Sequence, residues 1–186
     1  TVVKNPKEPM YGEDIFSLKE ELSIGKTERG EEYIFSQIRS IAIDEKGRIY
    51  VLDIKEAHVK VFDKNGDYIK TIGRKGQGPG EMSLPFSICI TRQNEIVAQD
   101  LNNRSIMFYS LDGNFIKSLS TAKIILVGVN IDSRGNIIGI ISIRGPDKWV
   151  MELQKFDSEL SYLYSFGSFS LSRSSTFNPF MSELCW

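Results

Sequence analysis

The chain has 186 residues, of which 41% are hydrophobic and 25% charged, with a formal net charge of −1. That is ordinary globular composition, and it makes no electrostatic case for nucleic acid or an anionic membrane. No apolar run reaches the 18 residues of a membrane span, the N-terminus lacks the apolar core of a signal peptide, and Cys89 and Cys185 alone form no disulfide framework.

Thr1 to Glu13, with two prolines, is expected to be an arm or ordered coil. Residues 14–25 end in Ser23-Ile24-Gly25, like Thr71-Ile72-Gly73 further on, and are expected to be an outer strand. Arg39 to Ile43 alternates polar and apolar residues, a strand with Ile41 and Ile43 on one face. Asp44 to Gly47 is a turn, and Arg48 to Leu52, rich in β-branched and aromatic residues, is a second strand. Asp53 to Ala57 is a loop, His58 to Phe62 a third strand, Asp63-Lys64-Asn65-Gly66 a hairpin signal, and Asp67 to Ile72 a fourth strand.

The unit then repeats. Ile41-Ala42-Ile43 returns 47 residues later as Ile88-Cys89-Ile90, Asp53 as Asp100, Gly66 as Gly113, and Tyr68-Ile69-Lys70 as Phe115-Ile116-Lys117. A third copy is shifted: Asp132 to Ile137 echoes Asp44 to Ile49 at an offset of 88, and Phe156-Asp157 echoes Phe62-Asp63 at 94. The second copy thus ends six residues short, and the third regains six before Phe156. Pro179-Phe180, 94 past Pro85-Phe86, opens a fourth copy. Four strands per unit of this period predict an all-β chain of propeller blades. The expected units are 36–73, 84–120 and 124–167, one domain over 1–186, with partial blades at 14–25 and 178–186. Gly167 to Asn178, rich in Ser and Gly, is expected to be a loop between blades. Three copies make about half of a six-bladed ring. The expectation is a shortened chain, a proteolytic fragment, or half-rings that associate, because open blade faces are an aggregation hazard.

Gly47-Arg48-Ile49-Tyr50-Val51-Leu52-Asp53, Val59 to Gly66, and above all Gly76-Gln77-Gly78-Pro79-Gly80-Glu81 resemble NHL-type repeats. The likeness is greatest to the six-bladed, TolB-like β-propellers common in Bacteroides-type bacteria. That resemblance covers about 14–186 and implies a six-bladed propeller, often an exported or envelope lipoprotein of unknown function, hence a periplasmic or envelope location. The second copy lacks the Gly-Pro-Gly-Glu loop, and the third has Ile141 where Asp53 and Asp100 stand.

The Gly73 to Gly80 stretch is not a P-loop, since no Gly-Lys-Ser/Thr follows. Asp53, Asp100, Gly66 and Gly113 serve the repeat and are expected to be structural, the aspartates by accepting local N–H groups. His58 is the only histidine, so a zinc site has too few ligands, and it is expected on a strand surface. No catalytic group or metal ligand is predicted. Calcium-dependent lactonases of the regucalcin type also resemble this fold and would need acids converging at the channel mouth. The inner strands offer Ser40, Ser87, Thr91 and Asn130 instead.

The two length changes are the asymmetric feature. A junction six residues short and an expected long loop at Ile141 to Lys148 would fall on one face. The candidate ligand-binding set is Arg74, Lys75, Gln77 and Glu81, with Arg144, Asp147, Lys148 and Trp149. Function is expected to be binding or scaffolding without a cofactor, toward a protein, small molecule or carbohydrate. The alternative is a hydrolase of the lactonase kind using Ca²⁺.

Overall fold

The computed structural model describes residues 19–25, 27–144 and 148–172. Among these residues twelve strands form three antiparallel four-stranded sheets. The first holds β1 (Ile38–Ile43), β2 (Ile49–Asp53), β3 (His58–Phe62) and β4 (Tyr68–Ile72). The second holds β5 (Pro85–Ile90), β6 (Glu95–Asp100), β7 (Ser105–Ser110) and β8 (Phe115–Ser120). The third holds β9 (Leu126–Ile131), β10 (Ile137–Arg144), β11 (Lys148–Phe156) and β12 (Tyr162–Ser172). Within each sheet the strands pair in chain order, so each sheet is a meander and a propeller blade.

Period-two side-chain alternation gives each sheet two apolar faces. Tyr50, Leu52, Val59 and Val61 of the first sheet pack with Ile88, Ile96, Ala98, Met107 and Tyr109 of the second. The other face of the second sheet, carrying Val97, Ile106 and Phe108, packs with Val129, Ile137, Ile141 and Phe156 of the third. The middle sheet is therefore buried on both sides.

Polar stitches set the first strands side by side. The Ser40 hydroxyl accepts from Ile88 N–H at 3.2 Å, and its repeat counterpart Ser87 accepts from Val129 N–H at the same distance. Gln99 stands where the first sheet has Leu52 and is 1% exposed. Its Oε1 accepts from Gly128 N–H at 2.8 Å, and its Nε2 donates to Leu126 carbonyl.

The repeat also shows what an unpartnered blade face looks like. Ile41 is 59% exposed, whereas its counterpart Ile88 is 6% exposed. Ile38, Ile41, Ile49 and Val51, with Leu22, Ile24 and Phe35, line an apolar groove on that first face. Residues 19–25, expected as part of an outer strand, form no strand ladder, and Ile24 packs beside Val51 and Phe62. Residues 14–18 and 178–186 lie outside the described residues.

Two expected loops are strands. The predicted loop over Ile141 to Lys148 is a hairpin whose arms stay paired out to Arg144 opposite Trp149. Ten residues separate the paired Ile141 and Glu152, against four between Asp53 and His58 and four between Asp100 and Ser105. The six extra residues lengthen the ladder by three pairs, because Ser142, Ile143 and Arg144 find partners in Trp149, Val150 and Met151. The predicted loop from Gly167 begins as strand for the same reason: the longer β11 presents unpaired groups, and β12 follows it to Ser172.

Turns on the opposite side use carboxylates. Asp44 accepts from Lys46 and Arg48 N–H, Asp63 from Asn65 and Asp67, Asp132 from Arg134 and Asn136, and Asp157 from Glu159 and Ser161. Each is an Asx turn that fixes a hairpin bend. The Lys155 ammonium, then the Asn136 amide, hold Asp132 well below 3.8. Backbone N–H groups of Asp67 and Ser161 lower Asp63 and Asp157. Burial alone would raise Asp44, but Arg48 and Tyr50 outweigh it.

Two outcomes follow from this arrangement. The four carboxylates are depressed in the folded state, so their contribution is complete above about pH 4, the unfolded value, and is lost as pH falls through the lower folded values. Urea midpoints should decline gently below about pH 6.5, where His58, whose pKa is lowered by burial, must take up a proton on unfolding, and drop steeply below about pH 4; a flat profile from about pH 4 to 2.5 would contradict the carboxylate contribution. Gln99→Leu restores the side chain of the first sheet but strands Gly128 N–H and Leu126 carbonyl, and should cost about 2 kcal/mol in chemical denaturation. A neutral or stabilising result would show that the amide is dispensable.

Candidate functional site

Loops joining the second and third strands of each sheet lie on the same side as the junctions between sheets. In the first two sheets a buried aspartate ties them together. Asp53 accepts from Ser36 N–H at 2.6 Å and Gln37 N–H at 3.1 Å on the approach to β1, and from Lys55 and Glu56 N–H in its own loop, both at 3.2 Å. Asp100 repeats the pattern with Ser83, Leu84 and Asn103 N–H. Both are 0% exposed. These carboxylates are consumed by backbone donors and present no free oxygen edge to a substrate. Gly66 and Gly113 occupy matching hairpin positions at φ +82° and +93°, where a side chain is strained. Asp53 bears the same relation to 36–37 that Asp100 bears to 83–84, so the segment before β1 is built like a junction.

The junction of residues 73–84 is internally braced. The Arg74 guanidinium meets Glu81 at 2.7 Å, and the other Glu81 oxygen accepts from Gly78 N–H at 2.9 Å. That N–H, then Arg74, lowers the Glu81 carboxyl below its usual value. Lys75 pairs with Met82 by backbone, and Asn103 donates to the Gly76 and Glu81 carbonyls, both at 3.1 Å. A Cβ on Gly76 would come within 2.0 Å of the Glu81 carboxylate, which explains that glycine. Gln77 and Glu81 also border a groove of about 410 Å³ with Asn103, Ser105 and Phe115. The structure thus brings Arg74, Lys75, Gln77 and Glu81 together, with Glu81 committed to holding its own loop.

Lys148 and Trp149 lie across the molecule's length of repeats, at the tip of the β10–β11 hairpin on the third sheet. Lys148 is exposed and Trp149 half-buried. Asp147 and the Arg144 side chain lie outside the described residues. The predicted set therefore divides between two places, the first junction and the third sheet.

Between them is a recess that the sequence reading did not assign to residues. The second junction, residues 121–125, is too short to cover the rim above it. A cavity of about 440 Å³ opens there, lined by Leu101, Arg104, Thr121, Lys123, Ile125 and Leu126 among others. Arg104 is the repeat counterpart of Ala57, and the two share a left-handed backbone, φ +47° and +55°. Ala57 is fully buried in the cluster joined by Met82 of the long junction. Arg104 is exposed on the recess. Aligning the copies at this turn was the available signal. The third sheet has Ile141 in place of the aspartate, 7% exposed in the core, and closes on its junction through Ser142 N–H to Ile125 carbonyl at 3.1 Å.

His58 starts β3 half-buried, its Nε2 enclosed without a hydrogen-bond partner. Burial, then Lys60, lowers its pKa against the pull of Asp53 and Glu56. Burial pushes the Cys89 thiol up to about 11, which keeps it protonated and unreactive at neutral pH. Among the described residues no group of three His, Cys, Asp or Glu side chains could hold a metal ion, and no helix is long and apolar enough to cross a membrane.

A family described as "Domain of unknown function (DUF4934)" matches residues 26–181. The chain belongs to this family. In fold it is similar to a Bacteroides fragilis protein assigned as exported, with a TM-score of 0.60 and 20% identity over 74% of this chain and 40% of that one. It is similar also to a gluconolactonase of Xanthomonas campestris, with a TM-score of 0.52 and 12% identity over 73% of this chain and 48% of that one. Among curated relatives, the brain tumor protein of Drosophila melanogaster is 25% identical over 138 residues, 72% of this chain and 12% of that protein. The chain spans less than half the length of each. At these identities the two solved structures show a shared β-propeller fold and no more.

The carboxylate clamp gives a direct expectation. Asp100→Ala leaves the N–H groups of Ser83, Leu84 and Asn103 without their acceptor and should cost about 3 kcal/mol or more in denaturant unfolding. A loss under about 0.5 kcal/mol would mean that water replaces the carboxylate at no cost.

Proposed function

We propose that this chain is a binding module without catalytic chemistry of its own, built as part of a six-bladed propeller of the NHL, TolB-like kind and placed in the periplasm or cell envelope. One observation carries the reading. Two six-residue length changes fall on the same face of an otherwise regular repeat, one opening the recess at residues 121–125 and the other raising the β10–β11 hairpin. Loops that depart from a rigid repeat are where recognition concentrates. The first junction, with Arg74, Lys75 and Gln77, borders the same side. The repeated acids that an enzyme would draw on, Asp53 and Asp100, hold backbone instead. Likeness to an exported Bacteroides fragilis protein supports the location.

A hydrolase of the lactonase kind with a Ca²⁺-type ion is the second reading, favoured by the likeness to a gluconolactonase fold. Metal analysis of the full-length protein and a lactone and ester screen separate the two. Turnover that depends on a bound divalent ion would overturn the first reading.

Isotope-labelled protein titrated with a mixed fragment library should show amide shifts clustered on residues 101–104, 121–126 and 148–152. Arg144→Ala with Trp149→Ala should weaken hairpin-directed hits about tenfold, about 1.4 kcal/mol, while Trp149→Phe keeps them and the unfolding midpoint barely moves. Hits that fall only on the opposite turns, or are unaffected by these substitutions, would remove the hairpin from the site.

A further inference from the structure

We infer that the recess at the second junction takes the anionic head of a small organic acid whose apolar body lies on the recess wall, an inference that rests on the binding-module reading above. The cavity, about 440 Å³, is of the size of small-molecule sites. Its lining divides by chemistry. Leu101, Ile124, Ile125 and Leu126 supply an apolar wall, and the Ile125 residue is 51% exposed. Arg104 and Lys123 supply two cations on the rim, and neither has an ion-pair partner among the described residues. Thr121 also belongs to the lining, and its N–H donates to the Arg104 carbonyl at 2.7 Å, which fixes the two segments against each other.

The repeat supplies the control that a single site lacks. At the first junction the same turn position, in the same left-handed conformation, carries Ala57, fully buried. Where the junction is shortened, that position is an exposed arginine in the lining of the recess. Two unpaired cations over an apolar wall match a carboxylate or phosphate monoester on an apolar body: the anion satisfies the guanidinium fork and the ammonium, and the body covers Leu101 and Ile125.

The test uses phenylacetate and phenyl phosphate as organic anions, phenylacetamide as the neutral match, and inorganic phosphate as the bare ion. Amide shifts in labelled protein are followed. The organic anions should move residues 101–104 and 121–126, with phenylacetamide at least tenfold weaker. Arg104→Ala, which installs the residue the first sheet already tolerates at this φ, and Lys123→Ala should each weaken binding at least fivefold without shifting the thermal midpoint. Arg104→Lys should recover part of it. The two anions separate carboxylate from phosphate ligands by which binds more tightly. Phenylacetamide binding the recess equally well would overturn the inference and leave the binding face standing. Inorganic phosphate matching the organic anions would overturn it too, since the apolar wall would contribute nothing. Anion shifts confined to residues outside this face would overturn both readings.

Discussion

A sheet with apolar residues on both faces cannot stand alone in water, and this constraint governs the molecule. The middle sheet satisfies it: Ile96 and Ala98 lie against the first sheet, while Val97 and Ile106 lie against the third. Stability is thus a property of neighbouring sheets more than of any one. The first sheet makes the point in reverse, because its Ile41 is mostly exposed while the equivalent Ile88 is buried. The isoleucine and its place in the strand are the same in both copies; the neighbouring sheet differs.

Face-to-face packing is non-directional, so something else must fix how each sheet meets the next. Polar groups do this at repeat-related points. Ser40 and Ser87 catch the N–H of the following first strand, and Gln99 reaches into the third sheet from a position that is leucine one copy earlier. Asp53 and Asp100 hold each second-to-third-strand loop against the chain approaching that sheet. Buried carboxylates with this many N–H donors are structural commitments, and they remove from chemistry the acids that look most conspicuous in the repeat.

Most of the architecture was legible because the 47-residue echo and period-two alternation are strong signals. Strand β3 from His58 to Phe62 has the bounds that alternation gives. The repeat also located both irregularities to within a few residues. It did not say what form they take. Residues Ile141 to Lys148 read as a loop because an insertion in a repeat usually is one, whereas Ile143 and Val150 are strand formers that pair when given the chance. Ser and Gly from Gly167 onward read as a loop between blades, but up to Ser172 the partner strand, not the local residues, decides. Arg74 and Glu81 were legible as charged residues on a candidate binding loop; that they pair, and that Glu81 is spent on Gly78 N–H, was not, since it depends on a three-residue turn closing tightly. Arg104 was missed because Asn102-Asn103-Arg104 looks like any polar turn until it is compared with Ala57.

That comparison reaches beyond one residue. The second-to-third-strand loop imposes its left-handed conformation on its last residue, whether that residue is alanine or arginine. Backbone shape there is set by the aspartate clamp and the strand register, independent of the side chain carried. Where the junction is short and the position is exposed, as at Arg104, a single codon change alters what the surface offers without changing the backbone beneath it; where the junction covers the position, as at Ala57, only a small side chain fits. Related chains with this short junction therefore have a low barrier to exchanging one specificity for another, and the variation to look for among them lies at the position of Arg104.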